Sequence, residues 1–239
     1  MSVSIVIPCT NAHFYFLHRV LNALAHGTRI PEEVVISLSQ SSLVGEKQKE
    51  ELLSEHSSSF NRLILLQSAT PAHSGVNRQR GTDQCTGDII IYQDADDIPH
   101  AQRVDTILNI FDKFDIVHLN HSYVTKESKI NFTDPVDIEK CNYVTSEKIY
   151  SSYFPTGVYE ECVKYTQAYG GGVGLSDTPI HAGAVAVKKT IFDKVKWKSP
   201  EELKLHSNYR FEDYEFNMDV LYAFNRSMII DAPIYWYNN

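Results

Sequence analysis

Five short apolar runs alternate with helical patterns over the first 120 residues, and this rhythm leaves few architectures open. Val3–Ile7, Val34–Leu38, Leu63–Leu66, Ile89–Tyr92 and Asp115–Leu119 have the length and branched side chains of strands. Between them, His13 to Ala25 carries Phe14, Leu17, Val20, Leu21 and Leu24 at helical spacing, with Asn11 placed to cap it. Gly45 to Glu55 reads as an exposed, charged helix, and Ser74-Gly75 opens another that runs to about Cys85 and is closed by Gly87. A further helix spans Ala101 to Phe111. Strand and helix in alternation imply right-handed crossovers and a mainly parallel sheet, an α/β domain of Rossmann-like type.

The fourth run, Ile89–Tyr92, reads as buried on both faces and leads directly into Asp94-Ala95-Asp96-Asp97. Ile98-Pro99 then ends the strand, because proline cannot donate to a sheet ladder. Three carboxylates thus leave the carboxyl end of a core strand together, and in an open α/β sheet that edge is where ligands bind. Carboxylates held so close repel one another, and a hard divalent cation with oxygen ligands offsets the repulsion. An acidic turn in solvent ahead of the next helix has the same pattern, so the motif alone does not decide between them.

Beyond Asn120 the rhythm breaks. Residues 121–180 are rich in Tyr, Ser, Thr and Lys without a clean period, and Tyr169 to Gly174 reads as a glycine-rich loop rather than a phosphate cradle. Order returns with a small-residue strand at Ala182–Val187, a helix near Lys189 to Val195, a helix from Glu212 to Ala223 and a last strand at Met228–Ile230. No repeat or linker divides the chain. The expectation is one domain over residues 1–239, with an irregular second half facing the substrate.

A net charge of −8 excludes a general nucleic-acid-binding face, which needs a basic stripe. No run approaches the roughly 18 apolar residues of a membrane span. The first strand, cut short by Pro8, is not a leader peptide. Cys9, Cys85, Cys141 and Cys162 form no Cys-x-x-Cys pair. The expected setting is therefore the cytoplasm, including a peripheral position at the membrane surface.

With these elements placed, the sequence resembles glycosyltransferase family 2 on the GT-A fold. Ser4 to Pro8 resembles the family's opening strand. Gly75 to Gly87 resembles the helix whose signature is Arg-Asn-x-Gly followed by a small residue and Gly; Asp94 to Asp97 matches the Asp-x-Asp-Asp turn; Glu212-Asp213 resembles the late acidic pair that supplies the base. Two departures stand out. Gln79 occupies a position where the family often has Asn, and Ser37-Leu38-Ser39 ends the second strand where an acidic residue commonly meets the nucleotide.

The resemblance implies metal-dependent, inverting transfer of a sugar from a nucleotide-diphosphate donor, a UDP-sugar first, to an acceptor hydroxyl. The acceptor would be a glycan, or a lipid-linked or protein-linked sugar. Residues 1–120 would bind the nucleotide-sugar and residues 121–239 the acceptor. Asp96 would be the principal ligand of Mn2+ or Mg2+, with Asp94 touching the donor ribose or reaching the ion through water. His181 stands where some GT-A enzymes place a further ligand, although a lone histidine is more often structural. Pro8, Thr10, Asn11, Ser39, Arg78, Asp94, Ala95 and Asp96 would contact the donor. Asp213 is the expected general base and Glu212 the alternative. Asp97 serves the site or caps the following helix, Arg80 faces solvent, and Trp197, Tyr209 and Phe211 are candidates to stack on a sugar.

Three other readings use the same pattern, one of them a phosphotransferase with an Asp-x-Asp nucleophile, which the following Asp97-Ile98-Pro99 does not fit. A nucleotidyltransferase would need a glycine-rich, basic turn after the first strand, which Cys9 to His13 does not supply. A non-catalytic sugar-nucleotide or glycan-binding module on the same fold would bind without turnover.

Overall fold

A computed structural model describes residues 1–111, 113–124, 133–141, 143–145, 185–204, 212–224 and 227–238. Its strands are β1 (Val3–Thr10), β2 (Glu33–Ser39), β3 (Arg62–Ser68), β4 (Ile89–Tyr92), β5 (Ile98–Pro99), β6 (Ile116–Val124), β7 (Tyr143–Thr145), β8 (Val185–Lys188) and β9 (Ser227–Asn238). Its α-helices are α1 (Leu17–Ala25), α2 (Glu46–His56), α3 (Ser74–Thr82), α4 (Arg103–Phe111), α5 (Pro200–Lys204) and α6 (Glu212–Ala223).

Among the described residues all the strands join one sheet in the order β3-β2-β1-β4-β8-β6-β9-β5, with β7 beside β9. The half built from the first four apolar runs is parallel, with Ile5 opposite Val34 and Ile91. β8 enters between β4 and β6 and runs against both, which makes the whole sheet mixed. β4 is buried along its entire length, as its unbroken apolar character implies. Among the described residues, Pro99 sits on a two-residue strand paired only to β9, a position where its missing N–H costs no central ladder bond.

Two apolar layers flank the sheet. On one side Leu17, Leu21 and Leu24 of α1, Leu52 of α2 and Ile107 and Phe111 of α4 cover Ile5, Ile7, Ile36 and Ile91. On the other, Trp197 and the α6 residues Phe216 and Val220 cover Val6, Ile90, Tyr92 and Val187.

Local structure departs from the sequence expectation at several ends. The chain after β1 first makes a 3-10 turn over Asn11–Phe16, so Asn11 lies inside a turn and does not cap α1. α3 stops at Thr82, five residues before Gly87. Gly87 is required for another reason: a Cβ there would come within 2.7 Å of Ser4 Oγ and 2.8 Å of Ser4 N, so the glycine lets the chain pass against β1. Asp97 is buried and α4 begins only at Arg103; the turn before that helix is closed by His100, whose Nδ1 accepts from the Gln102 N–H at 3.1 Å. Lys189–Asp193 is a 3-10 turn rather than an α-helix, and the last strand is much longer than Met228–Ile230.

Candidate functional site

β1 and β4 are parallel neighbours, so their carboxyl ends emerge side by side, delivering Pro8, Cys9 and Thr10 next to Asp94, Ala95 and Asp96. α3 is drawn onto the same edge. A Cβ on Gly81 would sit 2.6 Å from Val6 Cγ1, so only glycine allows the helix to lie this close to β1. A Cβ on Gly75 would stand 3.1 Å from the Lys198 carbonyl and 3.4 Å from Glu212 Cγ. The first turns of α3 and α6 therefore nearly touch, and they bring Arg78 and the Glu212-Asp213 pair to the turn after β4.

Arg78 is the hub of this arrangement. Its Nη2 donates to Asp94 Oδ1 at 2.8 Å, and its Nη1 lies 3.3 Å from Glu212 Oε1 and 3.4 Å from Asp213 Oδ1. The side chain is only 4% exposed. Burial alone would lower its pKa, but the three carboxylates outweigh burial and hold the guanidinium firmly protonated. Its face lies over the Trp197 ring, 5.1 Å from the centroid, and Nε has no partner among the described residues. Glu212 is held further by a hydrogen bond from Ser74 Oγ, with His73 Nε2 3.6 Å away. Of the acidic pair Asp213 is the more open, at 23% exposure against 11% for Glu212.

Arg78, Asp94 and Ser74 border a cavity of about 210 Å³ lined also by Pro8, Thr10, Ala95 and Asp96, together with Cys9, His13, Ala72 and Asn77. Asp96 faces it with His13 Nδ1 3.9 Å from its carboxylate, and its backbone carbonyl accepts from Arg19 Nη2 at 2.6 Å. The Cys9 thiol is pushed up to about 12, first by burial and then by Asp96, so it stays protonated and is no nucleophile at neutral pH. The N-terminus of α3 opens on the cavity, where unpaired N–H groups and the helix dipole favour an anion. Three carboxylates around one guanidinium, with Asp96 nearby on the cavity wall, leave an excess of negative charge on hard oxygen donors. The residues present therefore fit a divalent cation bound together with a phosphate-bearing ligand.

Six of the sequence-derived donor contacts, Pro8, Thr10, Arg78, Asp94, Ala95 and Asp96, line the cavity, and two do not. Ser39 is fully buried beneath it, accepting from Asn77 Nδ2 at 3.1 Å and lying 3.4 Å from the Cys9 carbonyl. Asn11 belongs to the turn after β1 and does not reach the lining. His181, Tyr209, Phe211 and the Tyr169–Gly174 segment lie outside the described residues.

Two side chains behave differently from expectation. Arg80 does not face solvent: its Nε donates to Ser37 Oγ at 2.9 Å, and its Nη2 to the Leu38 carbonyl at 2.9 Å and Asn77 Oδ1 at 3.0 Å. It binds the carboxyl end of β2, where polar groups unsatisfied by the sheet outcompete water. Trp197 is no sugar platform. It is buried, stacked on Phe216 at 3.9 Å and 7°, with Nε1 donating to the Tyr92 hydroxyl at 2.7 Å. Gln79, the departure from the usual Asn, accepts from the Trp197 N–H at 2.9 Å and so ties α3 to this segment. His13, His73 and Ser74 escaped the sequence reading because each is a lone polar residue in a loop or first turn, with no period or pair to mark it.

Comparison with known proteins bears on the family and the fold. Residues 4–158 match the family model described as Glycosyl transferase family 2. No curated protein sequence matches the chain. Among solved structures, S. aureus TarS 1-349 in complex with UDP-GlcNAc superposes with a TM-score of 0.64 at 17% identity, covering 100% of this chain and 59% of that one. The same fragment with UDP gives a TM-score of 0.63 at 17% identity, covering 100% of this chain and 61% of that one. The longer S. aureus TarS structure gives 0.65 at 16% identity, with 100% and 37% covered. The chain thus spans about three fifths of the shorter TarS fragment and shares its fold. A GT-A sheet, the acidic turn after β4 and the family match together place this chain in glycosyl transferase family 2.

Proposed function

We propose that this protein transfers a sugar from a nucleotide-diphosphate donor, with UDP-sugars first among them, to an acceptor hydroxyl on a glycan or on a lipid-linked or protein-linked sugar. The observation that carries this reading is that Arg78, on the wall of the cavity that Asp94 and Asp96 also line, ties Asp94 to the Glu212-Asp213 pair. The UDP and UDP-GlcNAc complexes of the TarS fold relatives support the choice of nucleotide.

The barrier to such a transfer has two parts: negative charge accumulates on the departing diphosphate, and the attacking hydroxyl must lose its proton. Asp96, with Asp94, would hold Mn2+ or Mg2+, which when bound supplies Lewis-acid neutralisation of the diphosphate. The α3 N-terminus and the Arg78 guanidinium add positive potential on the same side. Arg78 also keeps Asp94 turned toward the cavity, so the ligand set exists before the donor arrives. The backbone around Pro8 and Thr10 holds the nucleotide. Asp213 takes the acceptor proton, because it is the more exposed of the acidic pair while Glu212 is tied down by Ser74 and Arg78. A base opposite the departing phosphate implies inversion at the anomeric carbon. Residues 1–120 bind the donor and residues 121–239 the acceptor, acting as one unit.

Thermal unfolding with UDP-, GDP- and dTDP-sugars, each with and without Mn2+, tests the donor. A UDP-sugar with Mn2+ should raise the melting temperature by mass action. No shift with any nucleotide-sugar would sink the proposal. Binding with neither donor hydrolysis nor transfer would instead assign a glycan- or nucleotide-sugar-binding role.

A further inference from the structure

A second cluster of ligand-type side chains shares no residue with the sugar-nucleotide cavity. It lies where α1 meets the end of α2. His18 Nδ1 and His56 Nε2 face each other at 3.2 Å, His18 Nδ1 is 3.2 Å from Glu55 Oε2, and His56 Nε2 is 3.8 Å from Glu55 Oε1. Among the described residues this is the one group of three His, Cys or carboxylate ligand atoms within 4.8 Å of one another.

We propose that His18, Glu55 and His56 form a binding site for a divalent transition ion of the zinc type, clamping the start of α1 to the last turn of α2.

Four observations carry this. First, the spacing is that of a coordination polyhedron. Zinc bonds of about 2.0–2.1 Å in tetrahedral geometry put neighbouring ligand atoms roughly 3.3 Å apart, close to the separations seen here. Second, the chemistry of the set selects the ion: two imidazoles and one carboxylate suit zinc and its neighbours, whereas magnesium and calcium take oxygen. Third, His56 is 2% exposed, so the cluster is anchored on an imidazole fixed by the packing around it. Fourth, Glu55 and His56 are the last two residues of α2, where the helix dipole favours a cation. The open side of the cluster gives onto a cleft of about 560 Å³ bordered by His18, Lys47, Glu50, Glu51 and Glu55. Three protein ligands and an open side leave the fourth position to water or to a group from another molecule. A hydrogen bond between the two imidazoles satisfies one pair of atoms, but it does not account for a carboxylate within ligand distance of both rings.

The full chain, stripped of metal, is titrated with Co2+ and followed by the visible absorption of four-coordinate cobalt, then back-titrated with Zn2+. One equivalent of Co2+ should develop the absorption and Zn2+ should displace it. His18→Gln and Glu55→Gln, both at partly exposed positions, should keep the far-UV circular dichroism of the wild type. Each should weaken binding by at least about tenfold, the effect that even an outer-shell partner of a metal ligand carries. Asp96→Asn should leave the absorption intact. A wild type without the absorption overturns the proposal, as does absorption retained at full affinity in both cluster variants or lost in Asp96→Asn. None of these readings depends on sugar transfer, so failure here leaves the catalytic proposal standing, and the reverse.

Discussion

Arg78 on α3 and Asp94 after β4 are joined by a 2.8 Å charge-assisted hydrogen bond, and that bond joins a helix to a strand end 16 residues further along. The other terminal nitrogen of the same guanidinium reaches Glu212 and Asp213 at the start of α6. One buried side chain therefore aligns three separate elements at the ligand edge. The physical reason is charge: three carboxylates cannot share so small and dry a space without a cation among them.

Replacing Arg78 by Met should cost about 3–5 kcal/mol of stability, because it strands buried carboxylates without their partner. The loss should shrink on acidification, since protonated carboxylates no longer repel. Urea denaturation at neutral and at acid pH measures both. Arg78→Lys should recover only part of the loss, as an ammonium cannot present two terminal nitrogens at the guanidinium's spacing. Full recovery by Lys would show that the fork geometry is irrelevant.

The two acidic groups should separate by function. Asp96→Ala is expected to abolish Mn2+-dependent donor binding. Asp213→Asn should leave that binding within about twofold and lower transfer at least about 100-fold, the scale of a missing general base. Isothermal titration and donor-release kinetics on the same preparations give the split. Equal loss of binding in both would remove Asp213 from the base role.

Stability against acid should depend on Glu33. Burial by itself would raise its pKa, but hydrogen bonds from Ser4, the Thr86 N–H and Arg62 outweigh burial and hold the carboxyl below the usual carboxylate range. A depressed folded pKa means the contribution is present above the ordinary carboxylate pKa and is lost as pH falls through the folded value. Glu33→Gln should therefore cost about 1–3 kcal/mol at neutral pH and less in acid. A pH-independent difference between the two proteins would count against this account.

Close packing of α3 should be intolerant of one methyl group. Gly81→Ala places a carbon 2.6 Å from Val6 Cγ1 and should destabilise by about 1–3 kcal/mol while pushing the helix off β1. Because Arg78 rides on the same helix, donor affinity should fall as well. Unchanged donor affinity in a destabilised variant would mean that α3 position does not set the site.

Thiol reactivity should follow burial. Cys9 and Cys85 are each pushed up to about 12, chiefly by burial, whereas Cys141 is partly exposed. Alkylation at pH 8 mapped by mass spectrometry should modify Cys141 well before either of the others. Early labelling of Cys9 would show that the cavity wall opens in solution.

Much of the fold could be read directly. The runs at Val3, Val34, Leu63 and Ile89 became four adjacent parallel strands; the first, second and fourth are buried on both faces, as continuous branched apolar stretches require, while the Leu63 run forms the half-buried edge. The acidic turn was legible for a related reason: three carboxylates ending a buried strand must leave the sheet at its carboxyl edge. Two-residue β5 and three-residue β7 carry too few residues for any period and were not visible.

What the sequence by itself determined was the parallel half of the sheet, the edge at which the acidic turn emerges and the carboxylates available there. Only the tertiary structure decided that Arg78 spends its charge on those carboxylates, that Arg80 turns inward to β2, that Trp197 is core, and that His18 meets Glu55 and His56. Strand character is local, written in consecutive side chains, whereas a charge pair across 134 positions depends on how closely two helices can approach. Here that approach is set by two glycines with no period of their own, Gly75 and Gly81, whose missing methyl groups become meaningful only once α6 and β1 stand beside them.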